Sequence, residues 1–77
     1  MMIWVIAMYF ERLRNLREDN DIKQETIATY LGVRQTTYSK YELGKILVPV
    51  DMLIKLADFY QVSLDYLVGR SNDPTLR

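Results

Sequence analysis

Residues 24–44, QETIATYLGVRQTTYSKYELG, constrain the fold of this chain more than any other stretch. Ile27, Ala28 and Leu31 repeat at helical spacing, which predicts a helix over Gln24 to Leu31 with one apolar face. Gly32 follows at once, and glycine ends a helix in the left-handed conformation without a steric penalty. Val33 is apolar and can plug the corner. A second helix is predicted from about Gln35 to Leu43, with Tyr38 and Tyr41 turned inward. Its other face carries Gln35, Thr36, Ser39 and Lys40, all able to hydrogen-bond and none acidic.

The flanking sequence supplies the rest of an all-α, five-helix domain. A first helix is predicted over about Tyr9 to Asp19, with Phe10, Leu13 and Leu16 inward, Arg12, Arg14 and Glu18 in water, and Arg17 on the boundary. Asn20 and Asp21 break it, and Ile22 returns to the core. Pro49 opens a fourth helix, whose inward face reads Val50, Leu53, Leu56, Ala57 and Tyr60, with Asp51 suiting the positive end of its dipole. Ser63 is a good N-cap for a short fifth helix, Leu64 to Val68, which Gly69 stops. Residues 9–70 form the domain, residues 71–77 a patternless tail, and residues 1–8 an apolar N-terminal extension.

That extension, MMIWVIAM, is too short to span a membrane and lacks a basic start or a cleavage site. Met8 offers an alternative start, while Ile3, Val5 and Ile6 favour a strand. It reads either as a start-site artefact or as a packing segment, for which a second copy of the chain is the expected partner.

Composition narrows the function classes. The 77 residues contain no cysteine and no histidine, so disulfides, thiolate metal sites and a histidine general base are all excluded. The remaining carboxylates are scattered over helices as a solvated face, so neither catalysis nor a cofactor is expected. Net charge is zero, but residues 23–45 hold Lys23, Arg34, Lys40 and Lys45 against only Glu25 and Glu42. The local positive excess suits modest phosphate attraction rather than a broad basic field. Two helices around a glycine turn, the second presenting a polar, non-acidic face, match a helix-turn-helix entering the major groove. An ordinary helical hairpin with a solvated face has the same local pattern.

The chain resembles the Xre family, the phage-repressor type of helix-turn-helix that includes lambda Cro. The matching features are Gln24, Ala28, LGV at 31–33, TTYSKYELGK at 36–45, LIKLADFY at 53–60 and VSLDYLVGRS at 62–71. The spacing is gapless from Met8 to Ser71. The resemblance implies a cytoplasmic transcriptional regulator, a repressor, that binds a palindromic double-stranded operator as a homodimer. It implies a phosphate contact at Gln24 and contacts to base edges or adjacent phosphates from Arg34, Gln35, Thr36 and Lys40. Lys23, Thr37, Ser39 and Lys45 complete the expected DNA-binding set. It also implies a partly buried ion pair between Arg17 and Glu42 that positions the second motif helix.

Three departures from the family pattern stand out. The loop after the motif reads Ile46, Leu47, Val48 where basic residues are usual. The usual Ser or Thr caps are replaced by Lys23 and Arg34, and the usual Ile by Tyr38. The family also contains antitoxins and restriction-modification controllers, and the same fold can serve as a protein-interaction module. No second domain is read in the chain, so control is expected to come from expression level, a partner or proteolysis rather than from a sensed ligand.

Overall fold

The computed structural model describes residues 10–75. Within them are five helices: α1 (Glu11–Asp19), α2 (Gln24–Leu31), α3 (Gln35–Leu43), α4 (Val50–Tyr60) and α5 (Leu64–Leu67). No strand occurs among the described residues. The expectations placed on residues 1–8 lie outside them.

The helices close in a common way. Each of α1 to α4 is followed by a left-handed residue: Asp21 at φ 56°, Gly32 at 77°, Gly44 at 72° and Gln61 at 57°. The next N–H then reaches back five residues: Ile22 to Arg17 O, Val33 to Ala28 O, Lys45 to Lys40 O and Val62 to Ala57 O, all at 2.9–3.0 Å. This closure satisfies carbonyls that would otherwise be orphaned, and it turns the chain sharply enough for the next helix to pack back. Ile22, Val33 and Val62 are thereby driven onto or into the core.

That core is built from Leu13, Ile27, Ala28, Leu31, Tyr38, Tyr41, Val48, Leu53, Leu56, Ala57, Val62 and Leu67. The Tyr38 and Tyr41 rings meet edge to face with centroids 6.3 Å apart. Ala28 of α2 is buried in this core, and α2 and α3 form the most extensive helix pair among the described residues.

Several expectations are corrected. Arg12 does not face water. Its guanidinium lies 3.9 Å from the Tyr66 ring centroid and donates to Tyr66 O at 2.7 Å, Ser71 O at 2.5 Å and Asn72 Oδ1 at 2.8 Å. An arginine fork can serve several carbonyls while its face rests on a ring. Residues 71–74 of the tail are thereby docked, since Ser63 N–H also donates to Pro74 O at 3.0 Å, and Asp73 accepts from Thr75. Val50 is 66% exposed rather than inward, because the first residue of α4 lies beyond the edge of the core. Pro49, by contrast, stands where it was expected, just before α4, as its N-cap. Of the three apolar loop residues, Val48 is buried while Ile46 and Leu47 stay exposed.

Candidate nucleic-acid interface

The turn from α2 to α3 is three residues long, Gly32 to Arg34. With Tyr38 and Tyr41 buried, the outer surface of α3 is fixed by geometry. Gln35, Thr36 and Lys40 are exposed, and Thr37 and Ser39 are half-buried. Arg34 is exposed at the start of α3, and Lys45 is exposed just past its end. The expected contact set from Arg34 to Lys45 therefore lies along one short helix and its two ends, where side chains can reach the edges of a groove.

Both motif helices start without a side-chain cap, at Lys23 for α2 and Arg34 for α3. Neither side chain has an acceptor to offer. The backbone N–H groups of Gln24 and Glu25, and of Gln35, Thr36 and Thr37, meet no partner among the described residues. α3 has no acidic residue in its first turn, whereas α2 has Glu25. Free donors, the helix dipole and a cation thus coincide at the start of α3, an arrangement that attracts an anion.

The acidic residue of α3 is withdrawn from this surface. Glu42 is only 3% exposed, and Arg17 of α1 grips its carboxylate with Nε at 2.6 Å from Oε2 and Nη2 at 3.2 Å from Oε1. Arg17 Nη1 also donates to Ile22 O at 2.9 Å, tying the α1–α2 connection into the same node. Gln24 Nε2 adds a further donor to Oε1 at 3.0 Å. Burial opposes the charged form of Glu42, but the hydrogen bonds from Arg17 and Gln24, with the nearby Tyr38 hydroxyl, outweigh it and hold the carboxyl below the usual glutamate range. The same contact raises the Arg17 guanidinium further. The Tyr38 hydroxyl is buried without a hydrogen bond among the described residues, yet it is near enough to Glu42 for the two to act on each other. Burial, foremost, and the nearby carboxylate push its ionisation up.

Gln24, expected at a phosphate, is half-buried and already engaged with Glu42. Its residue type was the only signal in the sequence, because the partner lies 18 positions away on another helix. Tyr60 of α4 is a further member of this neighbourhood that sequence reasoning did not place there. Its hydroxyl is buried without a hydrogen-bond partner among the described residues, and burial and then the Glu42 charge push its pKa up to about 12. Among the described residues there is no acidic, histidine or cysteine cluster that could hold a metal, and no helix long and apolar enough to cross a membrane.

The arrangement is that of a helix-turn-helix domain, with α2 as the supporting helix and α3 as the presented one. The helix-turn-helix family model matches residues 13–67, and the chain belongs to that family, in its Xre-like, phage-repressor branch. It is 39% identical over 67 residues to an uncharacterized HTH-type transcriptional regulator, YobD, of Bacillus subtilis, covering 87% of this chain and 60% of that protein. It is 40% identical over 60 residues to the cryptic phage CTXphi transcriptional repressor RstR of Vibrio cholerae, covering 78% and 54%. The crystal structure of a transcriptional regulator from Listeria innocua is similar with a TM-score of 0.75 and 33% identity, covering 79% of this chain and 57% of that one. The chain spans little more than half the length of these relatives.

Proposed function

We propose that this domain is a sequence-specific DNA-binding repressor of transcription, acting in the cytoplasm by occupying promoter DNA rather than by catalysis. The observation that carries this is the acid-free outer face of α3 beside uncapped helix starts bearing Lys23 and Arg34. α3 enters the major groove with Gln35, Thr36 and Lys40 at base edges, and the α2 start, with Lys23 and Gln24, sits on the backbone. Gln35 suits adenine, Arg34 or Lys40 suits guanine, and Thr36 suits a thymine methyl. Thr37, Ser39 and Lys45 line the margins of the contact. The relatives' descriptions as transcriptional regulators and a phage repressor support the same reading.

The α3 helix has nine residues and reads few base pairs alone. The domain therefore acts as a homodimer on a palindromic operator, with half-sites about 34 Å apart. Exposed apolar side chains follow one another along the chain from the end of α3 into α4: Leu43, Ile46, Leu47, Val50 and Ile54. These five of the seven large exposed hydrophobics of the described residues form the surface the second copy covers. Selection from a random duplex library tests the proposal: a recovered inverted repeat is expected, and no enrichment would refute it.

The same exposed side chains favour a second reading, a protein-interaction module with no affinity for DNA. Retention on heparin with a salt-dependent shift of random duplex separates the two, since an interaction module shows neither. Antitoxin and restriction-modification controller roles remain inside the first reading and use the same DNA contacts.

A further inference from the structure

We propose that Glu42 is a positioning residue for a DNA-phosphate contact, because its buried carboxylate anchors the Gln24 amide with the nitrogen turned inward and so fixes the second N–H of that amide at the start of α2. This rests on the DNA-binding reading above.

The geometry comes first. Gln24 is the first residue of α2, directly after the uncapped Lys23. Its Nε2 donates to Glu42 Oε1 at 3.0 Å, on the oxygen that also receives Arg17 Nη2. A primary amide nitrogen carries two N–H groups, so one is spent on Glu42 and one is left. The amide cannot be reversed, because its oxygen would then face a carboxylate oxygen. Gln24 Oε1 meets no donor among the described residues, so Glu42 is the side chain's one hydrogen-bonded anchor there. The backbone N–H groups of Gln24 and Glu25 are free at the same helix start. A glutamine anchored before DNA arrives has less rotamer freedom to lose on binding.

This gives the Arg17–Glu42 pair a function beyond stability. A buried ion pair is often no better for folding than a well-packed apolar pair. Here the apolar pair could hold α1 to α3 but could not orient Gln24. Arg17 acts indirectly, by keeping Glu42 ionised and in place.

The test uses the full chain and a duplex of selected sequence carrying single methylphosphonates, each of which neutralises one phosphate. In the parent, one position at the α2 start should cost roughly tenfold in affinity. Gln24→Met and the double variant Arg17→Met with Glu42→Leu should each lose most of that position's penalty while keeping the penalties elsewhere. Adding Gln24→Met to the double variant should change nothing further. A double variant that keeps the full penalty at every phosphate, or additive losses in the triple variant, overturns the inference. Nitrogen relaxation of the Gln24 side-chain amide in the free parent needs no variant. A rigid amide is expected, and one as mobile as the exposed Gln35 amide overturns the inference even if every variant fails to fold. A parent without salt-dependent duplex binding would instead refute the DNA-binding reading, and the phosphate contact with it, whatever the relaxation shows.

Discussion

Arg17 and Glu42, 25 residues apart in sequence, face each other through two hydrogen bonds, Nε to Oε2 at 2.6 Å and Nη2 to Oε1 at 3.2 Å. The side chains are 13% and 3% exposed, so solvent screens the pair weakly. Removing one partner leaves the other charged and buried. Arg17→Met alone is expected to destabilise the domain by about 3 kcal/mol, and Glu42→Leu added to it to recover most of that loss. The folded Glu42 carboxyl sits below its ordinary range, so in that window the unfolded chain binds more protons. Its contribution is therefore present above the unfolded value, about pH 4.3, and lost as pH falls through the folded one. Urea unfolding across the acid range should show this loss in the parent and not in the double variant. A double variant no more stable than the single would mean that the two side chains do not interact as described.

Tyr60 presents the opposite sign. Its hydroxyl is buried without a hydrogen bond among the described residues, and its pKa is pushed up to about 12 by burial and then by Glu42. Tyr60→Phe removes an unsatisfied polar atom and should raise stability by about 1 kcal/mol. Because the folded pKa is raised, the tyrosine's contribution is complete below about pH 10 and declines as pH rises through the folded value. Alkaline unfolding should accordingly be shallower in the phenylalanine variant. A Tyr60→Phe protein clearly less stable than the parent at neutral pH would show that the hydroxyl has a partner.

Lys23 and Arg34 are poor choices for the starts of helices that have no side-chain cap. Each opposes the dipole by about 0.3–1 kcal/mol and leaves backbone N–H groups open. Serine at either site should add about 0.5–1.5 kcal/mol of stability. Each serine variant should also bind DNA more weakly, uniformly across sequences for Lys23 and with relaxed preference at one base pair for Arg34. Thermal unfolding beside binding to specific and random duplexes measures both. Unchanged binding in both variants would make these side chains ordinary solvated residues.

Leu43, at 58% exposed, Leu47, at 65%, and Val50, at 66%, are apolar groups left in water by the monomer. Sedimentation should show a dimer at micromolar concentration. Leu47→Glu should shift it to monomer without lowering the helix content seen by circular dichroism. A monomer at high concentration in the parent would remove the second copy from this surface.

Local signals in the sequence were sufficient for most of the fold. Gly32 and Gly44 mark the helix ends because their left-handed backbone favours a residue without Cβ. Asp21 and Gln61 perform the same turn with side chains, and Gln61 gave no such warning. Arg12 was misplaced because its partners are mainly carbonyls, at Tyr66 and Ser71, which have no sequence signature. Val50 has the right period, but its position at the helix end puts it outside the core. At the candidate site, the polar face of α3 follows from periodicity once Tyr38 and Tyr41 are inside. The engagement of Gln24 with Glu42 does not, because it joins α2 to the far end of α3 through tertiary packing alone.

The central claim, that α3 and the two helix starts bind duplex DNA, is tested most directly by affinity for a selected duplex as a function of salt. Four exposed basic residues, Lys23, Arg34, Lys40 and Lys45, stand on this surface. The slope of log K against log salt should be about −3 to −5 per half-site. Gln35→Ala should weaken binding to the selected duplex by about tenfold while leaving that slope and random-duplex binding unchanged. Salt-independent or undetectable binding, or a Gln35→Ala protein that still prefers the selected sequence as strongly as the parent, would contradict the claim.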